Sequence, residues 1–127
     1  MLFIKKIKKI STIISISILA VMSSANAVEL TVYTSVEADS FKKYVSAFNE
    51  VHPDIKLNWI RDSAGIQTAK LLAEKQNPQA DFVWGLAATS LMLLKAEGMT
   101  QPYAPAGVEK LDSKFVDQSN PPHWIGM

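Results

Sequence analysis

The chain has 127 residues, no cysteine, and 13 basic against 12 acidic residues. Without cysteine, no disulfide can stabilise the protein and no lipid can be attached through a thioether. The basic residues beyond the N-terminal segment are scattered and form no stripe interleaved with aromatic residues, which excludes a dedicated nucleic-acid-binding protein.

The first 27 residues have the pattern of a secretory signal peptide. A group of lysines precedes an apolar run from Ile10 to Met22, and the small residues Ala25-Asn26-Ala27 follow it. The run has about 13 residues, well short of the roughly 20 that a membrane-spanning helix needs, which favours a cleaved leader over an uncleaved anchor. We expect cleavage after Ala27 and a product that works outside the cytoplasm. Nine basic and twelve acidic residues then remain, because the leader contains four lysines and no acid: Lys5, Lys6, Lys8 and Lys9.

Residues 28–127 have a length that suits one small domain. Leu30–Tyr33 is a β-branched and aromatic run that predicts a strand. A helix follows and should end before His52-Pro53-Asp54, since the residue before a proline is pushed out of the helical region. A second strand is predicted at about Ile55–Ile60. The apolar face of this first helix consists of Phe41, Tyr44, Val45 and Phe48.

Two further units follow the second strand. Ser63 is predicted to cap a second helix, which should end at Asn77-Pro78. The third strand is predicted at Asp81–Trp84, and a third helix at about Ser90–Glu97. Gly98-Met99 suits the end of that helix, with glycine at the C′ position and methionine making the accompanying apolar contact. The apolar stripe predicted for the second helix consists of Ile66, Ala69, Leu72 and Ala73.

Alternating strands and helices joined by short loops predict an α/β fold, a parallel sheet with right-handed crossovers and helices on its faces. In such sheets, ligands bind beyond the carboxyl ends of the strands. The segments there are Thr34–Glu37, Arg61–Gly65 and Gly85–Ser90. Each opens a helix, whose unpaired N–H groups and partial positive charge favour an oxyanion. The alternative is ordinary N-capping, in which Ser63 and Thr89 satisfy their own helices.

Four stretches of the chain carry a family resemblance: Leu30–Ser35 (LTVYTS), Arg61–Gly65 (RDSAG), Ala80–Ser90 (ADFVWGLAATS) and Gln101–Pro105 (QPYAP). Together they resemble the periplasmic solute-binding proteins of ABC importers. The closest likeness is to the group assigned to 2-aminoethylphosphonate, a relative of the ferric-iron-binding group. The resemblance implies a monomeric protein of two α/β lobes, of the type II periplasmic binding class, that closes on a solute and presents it to a membrane permease.

Residues 28–127 account for only the N-terminal lobe of such a protein, so we expect a truncated chain whose second lobe is missing. If the solute is a phosphonate, Glu37 and Asp62 are candidates for holding its amino group, unless they are solvated loop acids. Arg61 could grip the phosphonate in a bidentate fork or pair with neighbouring acids. The donors expected for the phosphonate oxygens are hydroxyl and backbone N–H groups of Thr34, Ser35, Ser63, Gly65, Thr89 and Ser90.

Ferric iron is the competing solute. The loop positions that match the iron ligands of the related group are Glu37 and Leu86, and leucine cannot bind a metal. His52 and His123 each adjoin a proline and lack ligand spacing. A phosphonate is therefore preferred and no metal or cofactor is predicted, although tyrosines of a second lobe leave the iron alternative open.

Catalysis and a purely structural role are the remaining function classes. The sequence has no G-x-S-x-G elbow, no P-loop and no H-E-x-x-H pair, so an enzyme is not expected. An exported fragment with a structural role, or with no function, stays an alternative because half of a two-lobed clamp cannot close.

Overall fold

Strands and helices alternate along residues 28–126, the part of the chain that the computed structural model describes. The predicted leader, residues 1–27, and its cleavage after Ala27 lie outside these residues. Two short 3-10 helices, Val108–Lys110 and Ser113–Phe115, follow the last α-helix. The regular elements are β1 (Val28–Thr34), α1 (Ala38–Val51), β2 (Ile55–Arg61), α2 (Ala64–Ala73), β3 (Phe82–Trp84) and α3 (Ala88–Ala96).

The three strands form one parallel sheet in the order β2-β1-β3. This arrangement confirms the predicted α/β fold. At the end of β1, Thr34 is paired with Arg61 of β2 on one side and with Trp84 of β3 on the other. The three strands therefore finish together, and the loops that follow them meet at what we call the carboxyl end of the sheet.

The two faces of the sheet are covered unequally. On one face, Tyr33 packs with Leu71 of α2 and Leu94 of α3 in the buried core. The other face carries α1, in which Phe41 stacks on Trp59 with ring centres 4.8 Å apart. No side chain of α1 is fully buried. The core of the described residues thus lies between the sheet and the helices α2 and α3.

The apolar stripe predicted for α2 is mostly wrong, because only Leu72 of its four residues packs against the core. Ile66 is 55% exposed, whereas Gln67 and Leu71 face the sheet and are buried. The Gln67 amide donates to the carbonyl oxygens of Ile60 at 2.7 Å and Thr34 at 3.4 Å. Because these bonds satisfy the buried amide nitrogen, the helix can turn a polar residue inward. The helix also ends at Ala73, before the predicted stop.

The end of α3 was predicted correctly and its start was not. The helix begins at Ala88 with Ala87 at the N-cap, so Thr89 caps nothing. Gly98 has a left-handed φ of 70°, and its N–H donates to the Lys95 carbonyl at 2.9 Å. The Met99 N–H donates to the Leu94 carbonyl, also at 2.9 Å, which completes a Schellman motif. Met99 packs against the core, as predicted.

A partly buried ion pair ties the segment after α3 back to that helix. The Lys95 ammonium donates to both carboxylate oxygens of Asp117, at 2.7 and 2.8 Å, and to the Ser119 hydroxyl. The backbone N–H of His123 donates to Asp117 as well, at 3.0 Å. Burial would raise the pKa of Asp117, but Lys95 and these hydrogen bonds outweigh it and lower the pKa to about 2.

Acid is expected to weaken this attachment. Since the folded-state pKa of Asp117 lies below its ordinary value of 3.8, the stabilisation is complete above pH 3.8 and is lost as the pH falls towards 2. The loss is expected to reach about 2 kcal/mol of unfolding free energy. Urea unfolding between pH 7 and pH 2 measures it, and Asp117→Asn should flatten that part of the pH profile.

The control is Asp39→Asn, which breaks the exposed pair between Asp39 and Lys42. A surface pair of this kind is worth less than about 1 kcal/mol, so the acid profile should keep its shape. If Asp117→Asn also leaves the profile unchanged, the Lys95–Asp117 pair does not stabilise the fold.

Candidate functional site

Hydrogen bonds join the three loops at the carboxyl end of the sheet. The Ser35 hydroxyl, after β1, donates to the Gly85 carbonyl after β3 at 2.5 Å. The Asp62 N–H, after β2, donates to the Thr34 carbonyl at 3.2 Å. The structure therefore brings together the three segments in which the sequence placed its candidate binding residues.

Three helices begin at these loops, with Glu37, Ser63 and Ala87 at their N-caps. The Ser63 hydroxyl accepts from the Ile66 N–H at 3.4 Å, so the N-cap prediction for this residue is confirmed. Glu37 and Ala87 make no side-chain cap within residues 28–126. N–H groups in the first turns of α1 and α3 are thus left for water or a ligand, with the positive ends of the helix dipoles behind them.

The predicted hydroxyl and backbone N–H donors divide into engaged and open groups. Thr34 is fully buried and accepts from the Val36 N–H at 3.1 Å, and Ser90 accepts from the Thr68 hydroxyl at 2.9 Å. With Ser35 bonded to the Gly85 carbonyl, these three hydroxyls hold the loops in place. Thr89 and Gly65 are exposed, and the space beside Gly65 is open. Among the residues predicted as donors, the open ones are therefore Gly65 in the first turn of α2 and Thr89 in the first turn of α3.

The predicted charged residues at this end of the sheet already have partners inside the chain. Arg61 donates to the Val36 carbonyl at 3.1 Å and forms an ion pair with Glu37. The Asp62 carboxylate accepts from the Ser63 N–H at 2.7 Å. Arg61 and Glu37 are both exposed, where an ion pair contributes less than about 1 kcal/mol. An anionic ligand could therefore take Arg61 from Glu37 at little energetic cost.

Gln67 also lies at this end of the sheet, but it was not predicted from the sequence. It lies beneath the loops, where its amide nitrogen bridges the last residues of β1 and β2, and its carbonyl oxygen is buried without a hydrogen-bond partner in the described part of the chain. The only signal in the sequence is its spacing of four residues from Leu71, which puts both on one helix face.

The two histidines lie apart from these loops. The His52 ring is 4.9 Å from the Phe48 ring at the end of α1, and His123 contacts Thr100 through Nδ1. Among residues 28–126 there is no group of three or more His, Cys, Asp and Glu side chains placed to hold a metal ion. Within the same residues no helix combines the length and apolar character needed to cross a membrane.

Comparison with known proteins identifies similar chains, although no family model matches. A probable ABC transporter periplasmic-binding protein of Sinorhizobium fredii is 48% identical over 48 residues, which are 38% of this chain and 13% of that protein. An uncharacterized protein of Haemophilus influenzae is 36% identical over 115 residues, 87% of this chain and 33% of that protein. The chain thus spans a third or less of the length of these relatives.

Solved structures share the fold. The periplasmic binding protein AfuA of Actinobacillus pleuropneumoniae, solved with exogenous fructose-6-phosphate, is 28% identical with a TM-score of 0.62, over 68% of this chain and 27% of that chain. Iron-bound HitA of Pseudomonas aeruginosa is 18% identical with a TM-score of 0.65, over 72% and 29% of the two chains. The periplasmic binding protein P5PA is 22% identical with a TM-score of 0.58, over 72% of this chain and 27% of that chain.

The chain is thus similar to periplasmic binding proteins, one of which is a probable ABC transporter component. The α/β fold is the one that part of each of these type II periplasmic binding proteins adopts. Two of the solved structures were determined with different solutes, fructose-6-phosphate and iron, so the comparisons do not determine a solute.

Proposed function

We propose that this chain belongs to the solute-binding component of an ABC importer and contributes half of a site for a small anionic solute, an organophosphonate such as 2-aminoethylphosphonate. It would act in the periplasm, without a cofactor or catalysis, and pass its solute to a permease in the inner membrane. The observation that carries the proposal is the convergence of three helix starts at the carboxyl end of the sheet, joined by the Ser35–Gly85 and Asp62–Thr34 hydrogen bonds.

The geometry of the loops suits a phosphonate or phosphate group. Such a group has three acceptor oxygens and negative charge, and helix N-termini offer N–H donors and partial positive charge. Thr89 and Ser63 add hydroxyls at two of the helix starts, and Arg61 adds a guanidinium beside the third. The phosphate ester bound to AfuA, whose chain is 28% identical, supports an anion of this kind.

Ferric ion is the second candidate solute. Iron-bound HitA has the same fold over 72% of this chain, and Glu37 stands at the carboxyl end of the sheet with an exposed carboxylate. Because residues 28–126 hold no group of three metal-binding side chains, a ferric site would need ligands from another segment or another lobe. The third possibility is an exported protein that binds no solute, and an experiment must distinguish it from the other two.

Titration of the isotope-labelled full chain, followed by amide NMR spectra, distinguishes these candidates. NMR detects the weak binding expected of half a site. With 2-aminoethylphosphonate, the N–H signals of Ser35, Ser63, Gly65 and Thr89 should shift and saturate. Removing one hydrogen bond to a charged ligand costs about 1.5–3 kcal/mol, so Thr89→Val should weaken binding about tenfold or more. Ser46→Ala, an exposed change within α1, should leave the affinity unchanged.

The outcomes divide cleanly. Saturation by fructose 6-phosphate or phosphate but not by 2-aminoethylphosphonate would keep the anion site and reject the phosphonate. Paramagnetic broadening around Glu37 by ferric citrate, without any response to the anions, would support iron. If none of these solutes changed the spectra, both binding proposals would be rejected and a structural role would be favoured.

A further inference from the structure

Gln67, at the end of the first turn of α2, is a fully buried polar side chain beneath the loops of the candidate site. Its amide nitrogen donates to two carbonyl oxygens of the sheet, that of Ile60 in β2 at 2.7 Å and that of Thr34 in β1 at 3.4 Å. These bonds satisfy a donor that would be costly to leave unpaired in the interior. One side chain therefore connects α2 with the carboxyl ends of two strands.

The nitrogen of the Gln67 amide fixes the orientation of the group. The amide oxygen is buried and has no hydrogen-bond partner within residues 28–126. If the oxygen and nitrogen were exchanged, the oxygen would face the carbonyl oxygens of Ile60 and Thr34, and acceptor would meet acceptor. An apolar side chain of the same size would fill this place without leaving an oxygen unpaired. Packing alone therefore does not account for a glutamine at this position.

The two acceptors of Gln67 lie next to residues of the proposed anion site. The Ile60 carbonyl belongs to the peptide group that precedes Arg61, and the Thr34 carbonyl belongs to the one that precedes Ser35. Because a peptide group is planar, a hydrogen bond to its carbonyl also restrains the backbone of the following residue. Gln67 therefore holds the backbone from which the Arg61 guanidinium and the Ser35 hydroxyl project.

We propose that Gln67 is a positioning residue of the anion site, an inference that rests on the function proposed above. The buried side chain would not touch the solute. By bridging β1 and β2 from α2, it fixes the Gly65 N–H, two positions before it on that helix, relative to Arg61 at the end of β2. Since hydrogen bonds weaken steeply away from their preferred distances and angles, loss of the bridge should weaken binding without removing any direct contact.

The first test is Gln67→Met, which keeps the approximate length and volume of the side chain and removes both hydrogen bonds. The Thr34 carbonyl retains its bond from the Asp62 N–H at 3.2 Å, and the unpaired oxygen is removed, so the urea midpoint should change little. We expect the affinity for 2-aminoethylphosphonate and for inorganic phosphate, followed by amide NMR, to fall at least about fivefold. The response of the Gly65 N–H should shrink more than that of Thr89, which is on α3 and outside the bridge.

Gln118→Met is the matched control. The Gln118 amide also donates to two backbone carbonyls, those of Ser113 at 3.3 Å and Val116 at 3.2 Å, in the segment after α3. This variant should bind both solutes as the unaltered chain does. Equal losses of affinity in the two variants, or an unchanged affinity in Gln67→Met, would overturn the role of Gln67 and leave the anion site intact. Absence of binding of either solute to the unaltered chain would overturn the anion site and this inference with it.

Gln67→Glu tests the hydrogen-bond bridge separately. The neutral carboxyl group of this variant can donate to the Ile60 carbonyl, whereas the carboxylate can only accept and would repel it. Burial raises the pKa of such a carboxyl group, so it should take up a proton as the pH falls from about 8 to about 5. The affinity relative to that of the unaltered chain, a ratio that cancels the titration of the solute, should therefore recover towards acid in Gln67→Glu and not in Gln67→Met. A constant ratio for Gln67→Glu over this range would overturn the proposal that these hydrogen bonds position the site.

Discussion

Replacement of Gly85 by alanine is expected to destabilise the protein by about 2–5 kcal/mol, because two separate costs add at this position. Gly85 has a left-handed φ of 79°, which costs a residue with a β-carbon roughly 1–2 kcal/mol. The new β-carbon would also overlap the Val36 side chain in the neighbouring loop. Urea unfolding of the unaltered chain and the variant measures the loss.

Gly98→Ala separates the two costs. Gly98 has a similar φ of 70°, and the space where its β-carbon would lie is open. This variant should therefore lose only the backbone part, about 1–2 kcal/mol. Equal losses in the two variants would mean that Val36 yields without cost and that the Gly85 loop is not closely packed.

The effect of Gly85→Ala should reach the proposed anion site as well. The Gly85 carbonyl accepts the Ser35 hydroxyl, and the Val36 backbone lies between that serine and the start of α1. When Val36 is displaced, the first N–H groups of α1 move relative to those of α3. We expect the variant to bind 2-aminoethylphosphonate more weakly even in conditions where it remains folded, whereas Gly98→Ala should bind it normally.

The sequence predicted the features that depend on nearby residues. The stop of α1 at His52 follows from Pro53, and the end of α3 at Gly98 follows from the backbone freedom of glycine. The three strands follow from short runs of β-branched and aromatic residues. Their parallel direction follows from the alternation with helices, because a connection between parallel strands must be long enough to hold a helix.

Features decided by distant partners were not predictable. The buried face of α2 depends on the bonds from Gln67 to carbonyl groups of β1 and β2, which no local pattern reveals. The sequence allowed Arg61 to pair with an acid, but it did not reveal that the acid is Glu37, 24 positions away. For the same reason, the sequence identified the loops of the candidate site and not which of their hydroxyls are engaged: Thr34, Ser35 and Ser90 hold the loops, and only the structure shows it.

The second large loss of stability is expected on truncation of Leu94, because the core lies on only one face of the sheet. This side chain is 2% exposed and packs against Tyr33 and Leu71 in the small buried core. Truncation of a buried leucine leaves a cavity and costs about 2–5 kcal/mol. Since a domain of this size is stable by only about 5–15 kcal/mol, Leu94→Ala should remove a large fraction of that stability.

Leu93→Ala is the matched control, since it makes the same chemical change one position earlier on the same helix. Leu93 is 42% exposed, so its truncation should cost less than about 1 kcal/mol. On the other face, Phe48→Ala should also cost less than Leu94→Ala, because no residue of α1 is buried. If Phe48→Ala proved as damaging as Leu94→Ala in urea unfolding, α1 would be packed on the sheet as tightly as α3 is. The ratio of these two losses therefore measures how far stability rests on one face of the sheet.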